Sequence, residues 1–564
     1  MVFTLLVNST ETLLANTQMY KQPQSRTAPT FPFPLTLSPL TCFWRFAFIL
    51  ICLLMFSEVP IASIPVDGPT VLTSSGLLQG APRSSGGAEF LGVPYAQPPV
   101  GDLRCHEPLP VKPWTGVRPA NTFSATCAQP VLGDWNRHDA EVSSEDCLYL
   151  NVMVPSWPVK SPLPVMFWIH GGANAGGTAM SPLYKDGTLL QHGVILVTVN
   201  YRLGVFGFLS HPELTNESAH HASGNYGLID QAAALFWVHE NISNFGGDPN
   251  NITVFGQSAG AQDTGMLMTS PLSKDLFRRA IQQSGSPLNP PLPALSDSEK
   301  SGLKLAAALK APTDSGGIAF LRHLSKEELI KGAGAAQDPA QLPLFGPNQD
   351  GWLIRRSPRE VLAAGKCSSI PLMIGTTTRE FGMSAPLPVI RKMIQNVTGS
   401  LSDRVLAIYS LAGEGQGTTD PQYGPVGDQW FADLAFRCPS TTQAAWHTAA
   451  HQPVYEYEFE HAIPGQESQG AVHSADLPYV FGFFPRTGNI SGAFNETDFK
   501  LAELMETYWT NFAKSGNPNA AGLPTWPEFG TSQSYIKFTQ EGKVINNAHG
   551  LRQVQCDTFR AILK

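Results

Sequence analysis

Four strand-forming residues, Ile252-Thr253-Val254-Phe255, run straight into Gly256-Gln257-Ser258-Ala259-Gly260 and then into a helix-compatible stretch, Ala261 to Thr269. A G-x-S-x-G pattern in that context demands a sheet whose strand ends at the serine and a helix that packs back on it. The serine is then held out at the carboxyl edge of the sheet on a sharp turn that Gly256 and Gly260 leave room for. The first N–H groups of the following helix have no partner within the helix and point toward the same spot. Donors so placed can hold an oxyanion.

The rest of the chain supplies the sheet. Apolar runs ending in glycine-rich or polar loops recur at Val165–Ile169, Val194–Val199, Arg279–Gln283, Pro371–Gly375 and Pro453–Phe459. Helix-like stretches separate several of them, such as Gly227–Asn241 with Leu228, Ala232, Leu235, Trp237 and Val238. Short continuous apolar strands alternating with helices predict an α/β fold, with a large, mostly parallel sheet covered by helices on both faces. The alanine-rich segment from about Asp297 to Leu342 is expected to be mostly helical, an excursion over the carboxyl edge of that sheet. No internal repeat and no linker after residue 70 interrupts the pattern, so residues 66–564 read as a single domain.

Residues 1–65 read as a leader. Bases precede the uncharged run Phe46 to Phe56, and the acids Glu58 and Asp67 follow it. Eleven residues are too few to cross a bilayer comfortably, which takes about 20, but they suit the core of a signal peptide. Ala62 and Ser63 offer a cleavage site close to Pro60; an uncleaved signal anchor is the alternative. Either way the body is expected outside the cytoplasm, secreted or periplasmic, with no membrane contact beyond that anchor. The net charge of −8 and the lack of any Lys/Arg block with interleaved aromatics argue against nucleic acid as a partner. None of the eight cysteines has C-x-x-C spacing, so neither a zinc site nor a redox pair is indicated. The six outside the leader fit disulfides in an oxidising compartment.

A hydrolytic serine needs a base, an acid to orient that base and donors for the oxyanion. His170-Gly171-Gly172 follows an expected strand and resembles a donor loop in which side chains would block the substrate oxygen. The N–H of Ala259, next to the serine, is a further donor. Among 14 histidines, His473 and His461 both lie downstream of the serine after a strand-rich segment. The residues alone do not choose between them. Glu380 follows the run Pro371–Gly375, where the acid should be, although an exposed loop carboxylate would look the same.

The chain resembles the type-B carboxylesterases of the cholinesterase/carboxylesterase family, which have the α/β-hydrolase fold. The matching segments run from about Ser75 to the C-terminus. They include Phe90 to Ala96, Ser144 to Val152, His170-Gly171-Gly172, Asn200-Tyr201-Arg202, Gly224 to Gln231, Phe245 to Pro249 and the serine motif. The resemblance implies that Ser258 is the nucleophile, His473 the base and Glu380 the third member. It implies Gly171, Gly172 and Ala259 as oxyanion donors, and no metal or cofactor. It also implies the disulfides Cys127–Cys147 and Cys438–Cys556, which leaves Cys105 and Cys367 as free thiols.

Departures from the cholinesterase branch bear on substrate. Trp135 resembles the aromatic that stacks on choline, but two extra residues separate it from Cys147. Gln257 stands where cholinesterases have a glutamate, and Met383 and Ser384 replace paired aromatics after the acid. With Gln257, Trp135 and Met383 taken as pocket residues, support for a quaternary ammonium is weak and a neutral ester is the expected substrate. A lipase or thioesterase is the enzymatic alternative. A catalytically silent binding protein of the same fold is opposed by the presence of Ser258, Glu380, His473 and the glycine loop together.

Overall fold

Val165, Phe167 and Ile169 lie in one apolar cluster, while Met166 and Trp168 from the same run lie in another. That two-residue alternation is what a strand produces when both of its faces are buried. The strand belongs to an eleven-stranded sheet in a computed structural model that describes residues 68–313, 315–337, 345–383 and 385–563. The leader expected over 1–65 and Ser384 lie outside the described residues. Among the described residues no helix is long and apolar enough to cross a membrane.

In chain order the strands are β1 Ala81–Pro82, β2 Ala88–Pro94, β3 Tyr149–Val154, β4 Leu163–Ile169, β5 Ile195–Val199 and β6 Gly247–Gln257. They continue with β7 Arg279–Gln283, β8 Leu372–Thr377, β9 Val454–Phe459, β10 Ser534–Phe538 and β11 Val544–His549. Their spatial order is β11-β10-β9-β8-β7-β6-β4-β5-β3-β2-β1. Pairing is parallel from β10 to β5 and antiparallel at both edges. The six runs expected as strands are β4 to β9. The edge strands carry less signal: β11 reads Val-Ile-Asn-Asn-Ala-His and is largely exposed, so no apolar run marks it.

Helices cover both faces. Leu235 and Val238 of Tyr226–Asn241 and Leu267 of Ala259–Thr269 join the cluster of Val165 and Phe167. Met505, Trp509 and Phe512 of Glu496–Ser515 join that of Trp168. The alanine-rich excursion forms helices Leu295–Ala308, Gly317–His323 and Lys326–Ala336, and residues 338–344 lie outside the described set. Leu305, Ile318, Leu321 and Leu329 seat these helices on Phe206, Phe208 and Met266. β5 and β6 lie on opposite sides of β4, so the chain reverses its direction across the sheet there. Loops at the carboxyl ends of strands flanking such a switch point part to leave a crevice, where ligands bind in open α/β sheets. The disulfides Cys127–Cys147 and Cys438–Cys556 are formed, and Cys105 and Cys367 are free thiols.

The sheet also buries charge, with a consequence for stability. Glu456 of β9 is buried, its Oε1 accepts from Thr441 Oγ1 at 2.7 Å, and its Oε2 has no partner. Burial pushes its carboxyl up from 4.5 to about 8. The folded protein therefore holds this proton over a pH range in which the unfolded chain has lost it, so the contribution is present below pH 4.5 and is lost as pH rises through 8. Glu456→Gln should flatten the stability–pH curve between these limits, by on the order of 3 kcal/mol across the window. Urea unfolding at pH 5 and pH 8 measures it; parallel wild-type and variant curves would contradict the assignment.

Candidate active site

Ser258 directly follows β6 and caps the helix Ala259–Thr269 with φ 58° and ψ −124°. A non-glycine residue in the left-handed half of φ space is strained, and here surrounding contacts fix it. Its N–H donates to Gln283 O of β7 at 2.9 Å, and its carbonyl accepts from Ala261 N and Gln262 N, both at 3.0 Å. The helix lies so close to β4 that a Cβ on Gly260 would collide with Ile169 O. Glycine is required at that position by backbone contact.

The loops that follow β8 and β9 meet beside this turn. Arg379 N donates to Ala471 O at 2.9 Å and His473 N to Glu380 O at 2.7 Å, which zips the two loops together. Glu380 is buried; its Oε1 accepts from Thr377 N at 2.9 Å and its Oε2 lies 2.5 Å from His473 Nδ1. With Glu380 ionised, Nδ1 carries the ring proton and Nε2 is left as an acceptor. The ring packs against Phe381 and Phe436, with centroids 4.2 and 5.0 Å away. His461 stands apart from this group. It is buried, with Nε2 2.9 Å from Asp498 Oδ1 and Nδ1 3.2 Å from Thr539 O, and it ties the end of β9 to the helix Glu496–Ser515.

His170-Gly171-Gly172 leaves β4 next to the serine. A Cβ on Gly171 would stand 2.9 Å from Ser258 Cβ and 2.6 Å from Gln257 O, closer than real side chains approach. The loop is braced from behind. Tyr201 Oη donates to His170 O at 2.8 Å, and Gly204 N donates to Asn174 O at 2.7 Å. Asn174 Nδ2 and Gln231 Nε2 donate to Asp263 at 3.0 and 2.7 Å, and burial pushes that carboxyl up to about 7. Arg202 grips Asp230 through Nε at 2.8 Å and Nη2 at 2.6 Å. The motifs Asn200-Tyr201-Arg202 and Gly224 to Gln231 thus act as scaffold for the loop. Among the described residues, the N–H groups of Gly171, Gly172 and Ala259 have no acceptor within the protein.

The three residues expected to line the pocket have different surroundings. Gln257 is directed at His473. It is buried, and its Nε2 lies 2.9 Å from His473 Nε2. Met383 is packed into a cluster with Ile390, Met393 and Trp430, because the chain turns down into that cluster three residues after Glu380. Aromatic rings are present beside His473 all the same, supplied by Phe381 and Phe436. Phe381 directly follows Glu380, so adjacency in sequence could have found it. Phe436 lies in a π-helical turn, Asp433–Arg437, far along the chain, where no periodic signal marks it. Trp135 sits on the loop closed by Cys127–Cys147, and its ring comes within 3.3 Å of a Cβ placed on Gly172. It borders the glycine loop despite the two extra residues.

The family model described as carboxylesterase family matches residues 67–559. The fumonisin B1 esterase of Sphingopyxis macrogoltabida is 36% identical over 520 residues, covering 88% of this chain and 90% of that protein. The liver carboxylesterase of Sus scrofa is 34% identical, covering 85% and 90%. The crystal structure of a Geobacillus stearothermophilus carboxylesterase superposes with a TM-score of 0.73 at 33% identity, covering 85% of this chain and 97% of that one. With that agreement over nearly the whole length, and a serine turn, a Glu–His pair and a glycine loop assembled at one edge of the sheet, the chain belongs to the carboxylesterase family, an α/β-hydrolase that hydrolyses carboxylic esters.

Proposed function

We propose that the protein cleaves neutral esters through an acyl-enzyme on Ser258, with His473 as base and Glu380 as the acid that orients it. The observation that carries this reading is the 2.5 Å contact between Glu380 Oε2 and His473 Nδ1, which leaves Nε2 as the acceptor, beside a serine held on a left-handed turn. Ser258 Oγ attacks the ester carbonyl as its proton passes to His473 Nε2. The oxyanion is held by the N–H groups of Gly171, Gly172 and Ala259, and the imidazolium returns the proton to the departing alkoxide. Water then repeats the sequence on the acyl-enzyme and releases the acid. The two disulfides support an oxidising compartment and so an exported body, residues 66–564, behind the leader 1–65.

Preference for neutral esters rests on charge. The acid nearest Trp135 in sequence, Asp134, is engaged by Arg137 at 3.0 Å, and Gln257 is neutral. A tryptophan face alone contributes about 0.5–2 kcal/mol to a cation, set against the cost of desolvating it. The kcat/KM for a neutral butyrate ester should exceed that for butyrylcholine by at least about tenfold, a difference of about 1.4 kcal/mol. Equal values would mean that a cation site exists, with Trp135 the first residue to replace. A medium-chain thioester belongs in the same panel, because one relative is named a fatty acyl-CoA hydrolase.

A further inference from the structure

His473 Nε2 has a partner other than the serine. Gln257 Nε2 is 2.9 Å away, and among the described residues Ser258 Oγ has no hydrogen bond. The Gln257 side chain fills a slot between the imidazole and the glycine loop, with its Oε1 3.0 Å from a Cβ built on Gly171. We propose that Gln257 is a positioning residue for the base. Its amide holds Nε2 of His473 between turnovers, and its neutrality keeps the esterase active to lower pH than a carboxylate at this position would. This rests on the triad reading above.

The amide suits both states of the ring. It donates N–H to the neutral imidazole, and after a half-turn about its last bond its oxygen accepts from the imidazolium. Exchanging it for Ser258 Oγ replaces one neutral hydrogen bond with another, so the ring is held without being trapped. A carboxylate could only accept, and would favour the protonated ring, which cannot take the serine proton. The ring already faces acids from two elements. Glu380 is on the loop after β8; Asp476, on the ring's own loop, is buried and accepts from Gln283 Nε2 at 2.8 Å and Tyr457 Oη at 3.0 Å. Burial pushes the Asp476 carboxyl up, against the hydrogen bonds from Gln283 and Tyr457 that pull it down, while Glu380 is the acid in direct contact with the ring. The turn carrying Phe436 presents a ring to the imidazole, while its Arg437 reaches instead to Asp433 and to Thr378 O at 2.8 Å. Arg379 of the Glu380 loop points away, to Pro421 O at 2.9 Å and Gln422 O at 3.1 Å. From β6 Gln257 is bonded to the ring, and among the described residues no Lys or Arg is paired with either side chain, so a charge there has no paired cation to cancel it.

The experiment is the pH profile of kcat/KM for p-nitrophenyl butyrate, a neutral substrate, in wild type, Gln257→Glu and Gln257→Met. Gln257→Glu should move the acid limb up by about 1–2 pH units, a tenfold to hundredfold loss on that limb, with the alkaline plateau within about fivefold of wild type. Gln257→Met, neutral and of similar length, should leave the limb within about half a unit. It should lower kcat several-fold at unchanged KM, because the ring is then held at one nitrogen only. A limb unmoved in Gln257→Glu, or moved equally in both variants, overturns the charge argument. Full kcat in Gln257→Met overturns the positioning role and decides that part even if the Glu variant does not fold. Activity surviving in His473→Ala would instead refute the triad reading itself.

Discussion

Ser258→Ala should lower kcat by roughly four or more orders of magnitude while leaving the fold intact, and His473→Ala should do comparable damage. The serine is held by backbone contacts through Gln283 O, Ala261 N and Gln262 N, so removing its hydroxyl leaves the turn in place. Residual turnover would come from the donors of the glycine loop and Ala259 alone. His461→Ala gives the contrast. That ring bonds Asp498 and Thr539 O, remote in role from the serine, so the variant should lose stability and keep most of its kcat. Steady-state kinetics with circular dichroism on all three variants decides it. Near-normal turnover in folded Ser258→Ala would sink the nucleophile assignment, and equal kcat losses in the two histidine variants would sink the choice of base.

Arg437→Met should cost about 3–5 kcal/mol of stability, the largest single loss expected outside the disulfides. Its guanidinium is fully buried, ion-paired with Asp433, 3.9 Å from Glu458 and 4.7 Å over the Tyr423 ring. Burial pushes the Asp433 carboxyl up, but the charges of Arg437 and Arg552 outweigh it and hold it below the ordinary value. The stabilisation this gives is present above the usual carboxylate range and is lost as pH falls through the depressed value. The variant leaves buried carboxylates undercompensated, so its deficit should shrink in acid. It should also disturb catalysis, because Arg437 holds the carbonyls of Thr377 and Thr378 just ahead of Glu380. Denaturant unfolding at neutral and acidic pH measures both effects. A loss under about 1 kcal/mol at neutral pH would place the weight of the network on Arg552.

Some of this was readable in the chain alone because it depends on local periodicity. Continuous apolar runs announced β4 to β9, and a serine between a strand and a helix announced its own turn. A histidine–glycine–glycine loop after β4 announced a second feature at the same edge. What periodicity could not supply was any fact about which distant side chains meet. His461 and His473 differ by twelve residues and carry similar surroundings in sequence. Only the fold gives one a buried Asp498 and the other Glu380, because loop zipping through Arg379 and Ala471 brings the Glu380 loop to His473. Gln257 was visible as the neighbour of the serine, yet its direction followed from strand pleating: adjacent residues point to opposite faces, and at the end of β6 the face opposite Gly256 is the one that His473 occupies. Phe436 reaches the imidazole from a π-helical turn, and the Arg437–Asp433–Arg552 cluster joins residues over a hundred positions apart. Such contacts are set by how the loops close over the sheet. Sequence determined the sheet, the serine turn and the kinds of residue available for ester chemistry, while tertiary closure alone decided which histidine meets the acid and which side chain holds it there.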